Sequence, residues 1–176
     1  MWMLVKKTLD RFLETLVSAS MAVLNIDVTW QVITRFILKN PSDWTEELAT
    51  NLMIWVGLLG AAVALNKREH LGIDYFVGKL PEKKRLYTEL FVFLVVIMFS
   101  VLVMFIGGMR LVSITFMFGQ VSPALNMPMG YVYLAIPVSG IFLSIYSIEF
   151  FIETWIKLKR IGDRPDAPYV DVTPNS

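Results

Sequence analysis

Three polar side chains recur at one-turn intervals in an otherwise apolar stretch near the start of the chain. Asp27, Gln31 and Arg35 follow an i, i+4, i+8 spacing, so a helix places them on one face. A charge at membrane depth costs about 2.5 to 3.5 kcal/mol, which makes Asp27 a candidate for proton transfer or for a buried ion pair. A proton relay needs more members than this face supplies, and Arg35 can extend to the membrane boundary. We therefore treat Asp27 and Gln31 as intramembrane polar candidates, with Asp27 in a buried role.

A second polar group follows a long apolar run and contains Arg68, His70 and Asp74. His70 and Asp74 are four residues apart, a spacing suited to an intrahelical contact or to interaction with lipid headgroups. One histidine and one aspartate are too few ligands for a metal site. The chain has one histidine and no cysteine, which excludes thiolate sites and bis-histidine haem, and its net charge of +1 gives no reason to expect nucleic acid. We expect neither a catalytic nor a metal site.

The elements that must position these residues are membrane helices. Hydrophobic residues make up 56% of the chain, whose mean hydropathy is +0.60. Residues 90–109 contain no charge, and a helix of that length is about 30 Å long, the thickness of a hydrocarbon core. The sequence predicts an all-α integral membrane protein with four transmembrane helices, at about 12–38, 44–65, 86–112 and 131–156.

The basic residues predict the orientation of these helices. Thirteen of the 16 Lys and Arg residues lie before the first helix, between the second and third, or after the fourth. The positive-inside rule then places both termini in the cytoplasm. A short interfacial helix is predicted between helices two and three, and residues 162–176 are predicted to form a polar cytoplasmic tail after the membrane domain 1–161. The connection 113–130 is uncharged and faces outward, so we expect something to cover it.

The start of helix two carries an acidic pair. Asp43 is suited to be the N-cap, with Glu46 three residues later as in a capping box. In the alternative interpretation, Glu46 and Glu47 contact a partner protein or nearby basic residues, with an interfacial tryptophan as anchor. The two roles are compatible, and the outer-face candidates are Arg35, Trp44, Glu46 and Glu47.

Helix two also contains small residues at helical spacing. Gly57 and Ala61 form one small-xxx-small pair, and Gly60 and Ala64 form another. Such pairs permit close approach of a second helix, either inside the bundle or from a partner.

Four motifs follow one another in a fixed order: Arg35, then WTEEL at 44–48, IWVGLLGAAVALNKREHLGID at 54–74, and SPALNMPMGYVYLAIPVSG at 122–140. Together they resemble the small membrane subunit of tripartite ATP-independent periplasmic (TRAP) transporters. The resemblance implies a bacterial inner-membrane scaffold, without catalytic activity, for a large elevator-type subunit. A periplasmic binding protein would deliver a small carboxylate, of sialic acid or C4-dicarboxylate type. Asp27 is not part of the pattern.

The resemblance also implies which groups belong to which subunit. The large subunit would hold sodium and substrate, and no cofactor is expected in this chain. Membrane lipid is a further partner, and a bound phospholipid is a candidate ligand. The rival hypothesis is a self-sufficient four-helix proton-coupled transporter or exporter that uses Glu14 or Asp27.

Overall fold

The computed structural model describes residues 2–40, 42–67 and 82–162, and most of these residues are helical. In lipid every backbone N–H and C=O must be bonded within the chain, and a helix achieves this inside one segment. The elements are α1 (Trp2–Phe36), α2 (Asp43–Asn66), α3 (Glu82–Met98), a π-helical segment (Phe99–Gly107), α4 (Gly108–Met117), α5 (Gly130–Tyr133) and α6 (Ala135–Gly162).

Four stretches of the described residues are long and apolar enough to cross a membrane. The predicted all-α fold with four membrane helices is therefore confirmed. We number them spans 1 to 4: Lys6–Phe36, Asp43–Asn66, Lys83–Met117 and Gly130–Arg160. The cytoplasmic placement of both termini stays a prediction. The predicted interfacial helix, with Arg68, His70 and Asp74, and the tail from residue 163 onward lie outside the described residues.

Two helix bounds differ clearly from the predicted spans. The first helix, α1, begins at Trp2, whereas the predicted span begins at about residue 12. Span 3 continues to Met117 rather than ending near residue 112. Three of the charged residues at the N-terminal end of α1 have partners elsewhere in the chain. These contacts are Lys6 Nζ to Glu149 Oε2 at 2.6 Å, the Tyr146 hydroxyl donating to Asp10 Oδ1 at 2.7 Å, and Lys67 Nζ to Glu14 Oε1 at 3.3 Å.

The four spans form an open row in the order 1-2-4-3. Span 1 packs along span 2, span 2 packs on span 4, and span 4 packs on span 3. Within the described residues, span 3 has no comparable contact with spans 1 or 2. Span 4 is accordingly the most buried, with 39% of its most apolar stretch inside the protein against 6% for span 1. Most of the surface on both sides of the row remains open to lipid or to a partner.

Span 1 contacts its neighbours through a narrow seam. Its buried and half-buried side chains alternate at intervals of four and three residues: Leu13, Val17, Ser20, Leu24, Asp27, Gln31 and Thr34. This spacing is typical of two helices that pack side by side along their length. At the N-terminal end of the seam, three spans share one hydrophobic core, formed by Leu13, Leu59, Ala62, Leu65, Tyr146 and Phe150.

Glycines bring spans 3 and 4 close together at three places: Gly108 beside Pro137, Gly130 beside Phe116, and Gly140 beside Met104. Gly140 is the one that meets the π-helical segment. A Cβ atom there would lie 2.8 Å from Met104 Cβ and 3.1 Å from the Ser100 carbonyl oxygen, both in the π-helical segment. Beside this contact, the Ser144 hydroxyl lies 2.9 Å from Ser100 Oγ and 2.7 Å from the Gly140 carbonyl oxygen. The backbones meet here because residue 140 has no side chain.

The small residues that the sequence singled out lie elsewhere. At Gly57 and Gly60 a Cβ atom would meet nothing within 4 Å, and Ala61 is exposed while Ala64 is half-buried. The close packing inside the row thus uses Gly140 rather than the two glycines of span 2. Packing of the span 2 pairs against a partner stays a prediction.

Replacing Gly140 by Ala should therefore destabilise the chain. The added methyl group would overlap Met104 Cβ, and overpacking of this kind typically costs about 1 to 3 kcal/mol. The free energy of unfolding of the purified chain, measured by SDS titration in mixed micelles, checks this. Gly57→Ala is the matched control, with a change between zero and a gain of about 1 kcal/mol, because the site is open and Ala favours helix. Equal losses in both variants would contradict the assignment.

Candidate functional site

The first turn of span 2 begins one residue earlier than the sequence indicated. Ser42 is the N-cap, in an extended conformation and without a side-chain cap hydrogen bond. The prediction of Asp43 as N-cap is wrong, because Ser and Asp are both good N-cap residues and the sequence alone does not choose between neighbours. Asp43 and Glu46 instead lie inside the first turn, where they complement the positive end of the helix.

Glu47 joins span 2 to the connection between spans 3 and 4. Its Oε2 atom accepts hydrogen bonds from the backbone N–H groups of Ala124, at 2.8 Å, and Leu125, at 3.1 Å. These partners lie 77 and 78 residues further along the chain. Hydrogen bonds to a carboxylate are about twice as strong as neutral ones. One side chain thus anchors this connection to the start of span 2.

The connection itself, residues 118–129, is an ordered loop. Gly119 and Asn126 have positive φ values of 58° and 52°, which glycine and asparagine adopt most readily. Three backbone hydrogen bonds close the loop: Ser122 N to Met127 O at 2.9 Å, Asn126 N to Ser122 O at 3.0 Å, and Met129 N to Gln120 O at 2.9 Å. Met117, Phe118 and Val121 nevertheless remain exposed. The expectation that something covers this connection stays a prediction.

An open groove of about 1090 Å³ separates this loop from the end of span 1. Trp30 and Trp44 are about half exposed at its sides, as is typical of aromatic residues at a membrane boundary. Its lining residues are Trp30, Thr34, Leu38, Asn40, Ser42, Asp43, Trp44, Pro123 and Ala124.

The remaining outer-face candidates are not brought together. Arg35 and Glu46 are both exposed, and neither forms an ion pair within the part of the chain that the structure describes. Arg35 is thus exposed, whereas Asp27 on the same helical face is buried, and no ion pair joins Arg35 to Glu46 or Glu47. Glu46 is free of described side-chain bonds and faces outward.

Two polar side chains in spans 1 and 2, Asp27 and Asn51, are buried. Asp27 and Asn51 are each only 6% exposed, and Asp27 Oδ2 and Asn51 Nδ2 have no hydrogen-bond partner among the described residues. Leu13 and Leu65 share one core, and each polar residue lies 14 positions from its own leucine. Each polar residue therefore lies about 21 Å along its own helix axis from that core. The sequence reading missed Asn51, although it is the one amide inside the apolar run of span 2.

The other predicted members of the polar face differ in burial. Thr34 is buried and donates its hydroxyl to the Gln31 carbonyl oxygen at 2.9 Å, while the Gln31 side chain is half-buried. On another side of this helix, Ile26, Trp30 and Ile37 are exposed, while Ile33 is half-buried.

Four apolar spans, an open row and a loop anchored by one carboxylate define a multi-pass membrane protein with much exposed apolar surface. A family model described as "Tripartite ATP-independent periplasmic transporters, DctQ component" matches residues 24–157. The chain belongs to this family, and it is a protein of the bacterial inner membrane.

Several relatives share part of the sequence. The sialic acid TRAP transporter small permease protein SiaQ of Vibrio cholerae is 40% identical over 83 residues, 47% of this chain and 48% of that protein. The sialic acid TRAP transporter permease protein SiaT of Haemophilus influenzae is 44% identical over 66 residues, 38% of this chain and 11% of that protein. The C4-dicarboxylate small permease protein DctQ of Rhodobacter capsulatus is 28% identical over 130 residues, 73% and 55% of the two chains. The matched segments thus span about half of SiaQ and a small part of SiaT.

Replacing Glu47 by Gln should loosen the loop at residues 118–129. The change keeps the shape of the side chain and one acceptor oxygen but removes the charge that strengthens both hydrogen bonds, at a cost of about 1 to 2 kcal/mol. Hydrogen exchange at the Ala124 and Leu125 amides, measured by mass spectrometry, should become faster. In the control Glu46→Gln, exchange in this loop should match wild type, and equal exchange in all three proteins would refute the anchoring role.

Proposed function

We propose that this chain is the small membrane subunit of a sodium-coupled TRAP transporter and acts as a scaffold without catalytic activity. The transporter takes up a small carboxylate that a periplasmic binding protein delivers. The observation that carries the proposal is the family match over residues 24–157, which includes spans 2 and 3 and the anchored outer loop. This match favours a subunit of a larger system over the rival self-sufficient exporter.

Association with a large permease subunit is supported by the relative SiaT. The matched 66 residues are only 11% of that permease protein, so the similar segment belongs to a much longer chain. When a separate chain resembles one part of a longer protein, a second separate chain can correspond to the remainder. The two chains are then candidates for non-covalent binding. The large subunit is therefore the proposed partner.

The surface of the row suits such a partner. Span 3 carries large exposed apolar side chains along its length, among them Phe91, Leu94, Met98, Leu102 and Ile106. Lipid tails are as apolar as these side chains, so burying them against a partner gives little free energy by itself. Association of helices in lipid depends instead on close packing. Span 2 offers such a site where Gly57 and Gly60 leave its backbone open.

The driving force and the ligands are assigned to the other subunits. The family description contains the words "ATP-independent", which supports coupling to an ion gradient, and we propose sodium. The proposal places the sodium and substrate sites in the large subunit and no cofactor in this chain. The relatives are named for sialic acid and C4-dicarboxylates, both carboxylates, and this supports the substrate class.

Uptake measurements test the function. The chain, its large subunit and its binding protein should be expressed together in a strain that lacks such transport, and entry of labelled sialic acid and succinate followed. Uptake should disappear when this chain is omitted or when sodium is replaced by choline. Unchanged uptake without the chain, and purification without any large membrane partner, would contradict the proposal.

The rival hypothesis has a separate test in the isolated chain. If the chain reconstituted alone catalysed a proton-driven flux that Asp27→Asn abolished, the exporter would be favoured instead. The proposed subunit should show no flux in this experiment.

Replacing Gly60 by Leu should weaken copurification with the large subunit. The new side chain would block close approach of a partner helix, whereas the space beside Gly60 is open in this chain. The free energy of unfolding of the isolated variant should stay within about 1 kcal/mol of wild type. Gly140→Leu is the contrasting control and should destabilise the isolated chain itself. Normal copurification of Gly60→Leu would remove this face from the proposed interface.

A further inference from the structure

An open groove lies at the N-terminal end of span 1. Glu47 lies on the opposite side of the row, where span 1 ends and span 2 begins. Lys7, Thr8, Arg11, Phe12 and Thr15 line the groove. Their spacing of one and two turns places them on a single face of α1. The groove therefore combines two cations, two hydroxyl groups and one aromatic ring.

Among the described residues, the two cations differ from their neighbours in having no acidic partner. Lys6 pairs with Glu149, and Lys67 pairs with Glu14. Lys7 and Arg11 are exposed, and no ion pair joins either to the residues that the structure describes. They are one helical turn apart, about 6 Å along the axis. That separation suits an anion with several oxygen acceptors, such as a phosphate group.

An apolar track continues from the groove towards the middle of the membrane. Phe12, Leu16 and Val23 are 61%, 37% and 47% exposed. From Phe12 to Val23 the helix rises about 16 Å, close to half of a hydrocarbon core of about 30 Å. The track is therefore as long as one leaflet is deep.

We propose that this face of span 1 binds an anionic phospholipid. Lys7 and Arg11 hold the phosphodiester, and one acyl chain lies along Phe12, Leu16 and Val23. A free phosphate would use the two cations but not the track, so the apolar contacts favour a lipid. In the orientation predicted from the basic residues, the site lies in the cytoplasmic leaflet, where anionic lipids attract Lys and Arg. The site is separate from Arg68, His70 and Asp74.

Native mass spectrometry of the full-length chain in detergent tests the proposal. Dioleoylphosphatidylglycerol should bind more tightly than dioleoylphosphatidylcholine, which has the same acyl chains and no net charge. The double variant Lys7→Gln/Arg11→Gln should lose roughly ten- to thirty-fold in affinity for phosphatidylglycerol, since each basic residue near the surface contributes about a factor of five. Its affinity for phosphatidylcholine should change less than about three-fold.

Three controls distinguish the explanations. Lys83→Gln/Lys84→Gln removes the same charge from two exposed lysines outside the groove and should keep the preference for phosphatidylglycerol. Phe12→Ala should weaken the binding of phosphatidylglycerol. Inorganic phosphate at the same micromolar concentration as the lipid should not displace it. Arg11→Lys, which keeps the charge, should retain most of the affinity.

Opposite outcomes overturn the proposal. Equal affinity for the two lipids, or equal loss in both double variants, would mean general charge attraction rather than a site. Displacement by equimolar phosphate would mean an anion site without a lipid. If the Lys7/Arg11 variant kept its lipid preference but lost copurification with the large subunit, the face would be a protein contact.

Discussion

The contact of Gly140 with the π-helical segment, together with the glycine contacts at Gly108 and Gly130, holds span 4 against span 3, and span 2 packs on span 4 in turn. In lipid there is no hydrophobic force to press helices together, so association rests on close packing and on hydrogen bonds. Gly140 supplies the first, and the Ser144 and Ser100 hydroxyls beside it supply the second. Span 4 packs on span 3 with one face and on span 2 with another. The row order 1-2-4-3 follows from these two faces.

The hydrophobic core lies near the N-terminal end of span 1, and polar bonds also connect the spans on this side and on the opposite side of the row. At one end, the Tyr146 hydroxyl donates to Asp10 and ties span 4 to span 1. At the other, Glu47 accepts the N–H groups of Ala124 and Leu125 and ties the loop before span 4 to span 2. Their carboxylates, Asp10 and Glu47, lie near the starts of spans 1 and 2, where they are less costly than at mid-membrane, while Tyr146 lies well inside span 4. The row is thus held by close contact in its middle and by polar bonds at its ends, which suits a scaffold that keeps its shape.

The sequence predicted what depends on hydropathy and on helical periodicity. Both were enough for four spans and for the inward face of Asp27. They did not predict Gly140 as the close contact, because Gly57, Gly60 and Gly140 all lie in apolar helices, and in lipid an outward face is as apolar as an inward one. Nor did they predict the partner of Glu47, since a bond across 77 residues depends on the order of the spans. The resemblance of separate motifs identified the family without either of these contacts.

Asp27 and Asn51 have a place in this arrangement that needs no transport role. The seam of span 1 repeats every three and four residues, and an apolar seam alone would tolerate a slip of one turn along span 2. A buried polar position in a helix seam can fix register, at some cost in stability. Asp27 and Asn51 are buried in spans 1 and 2, and we expect them to help set the height of span 1 against span 2.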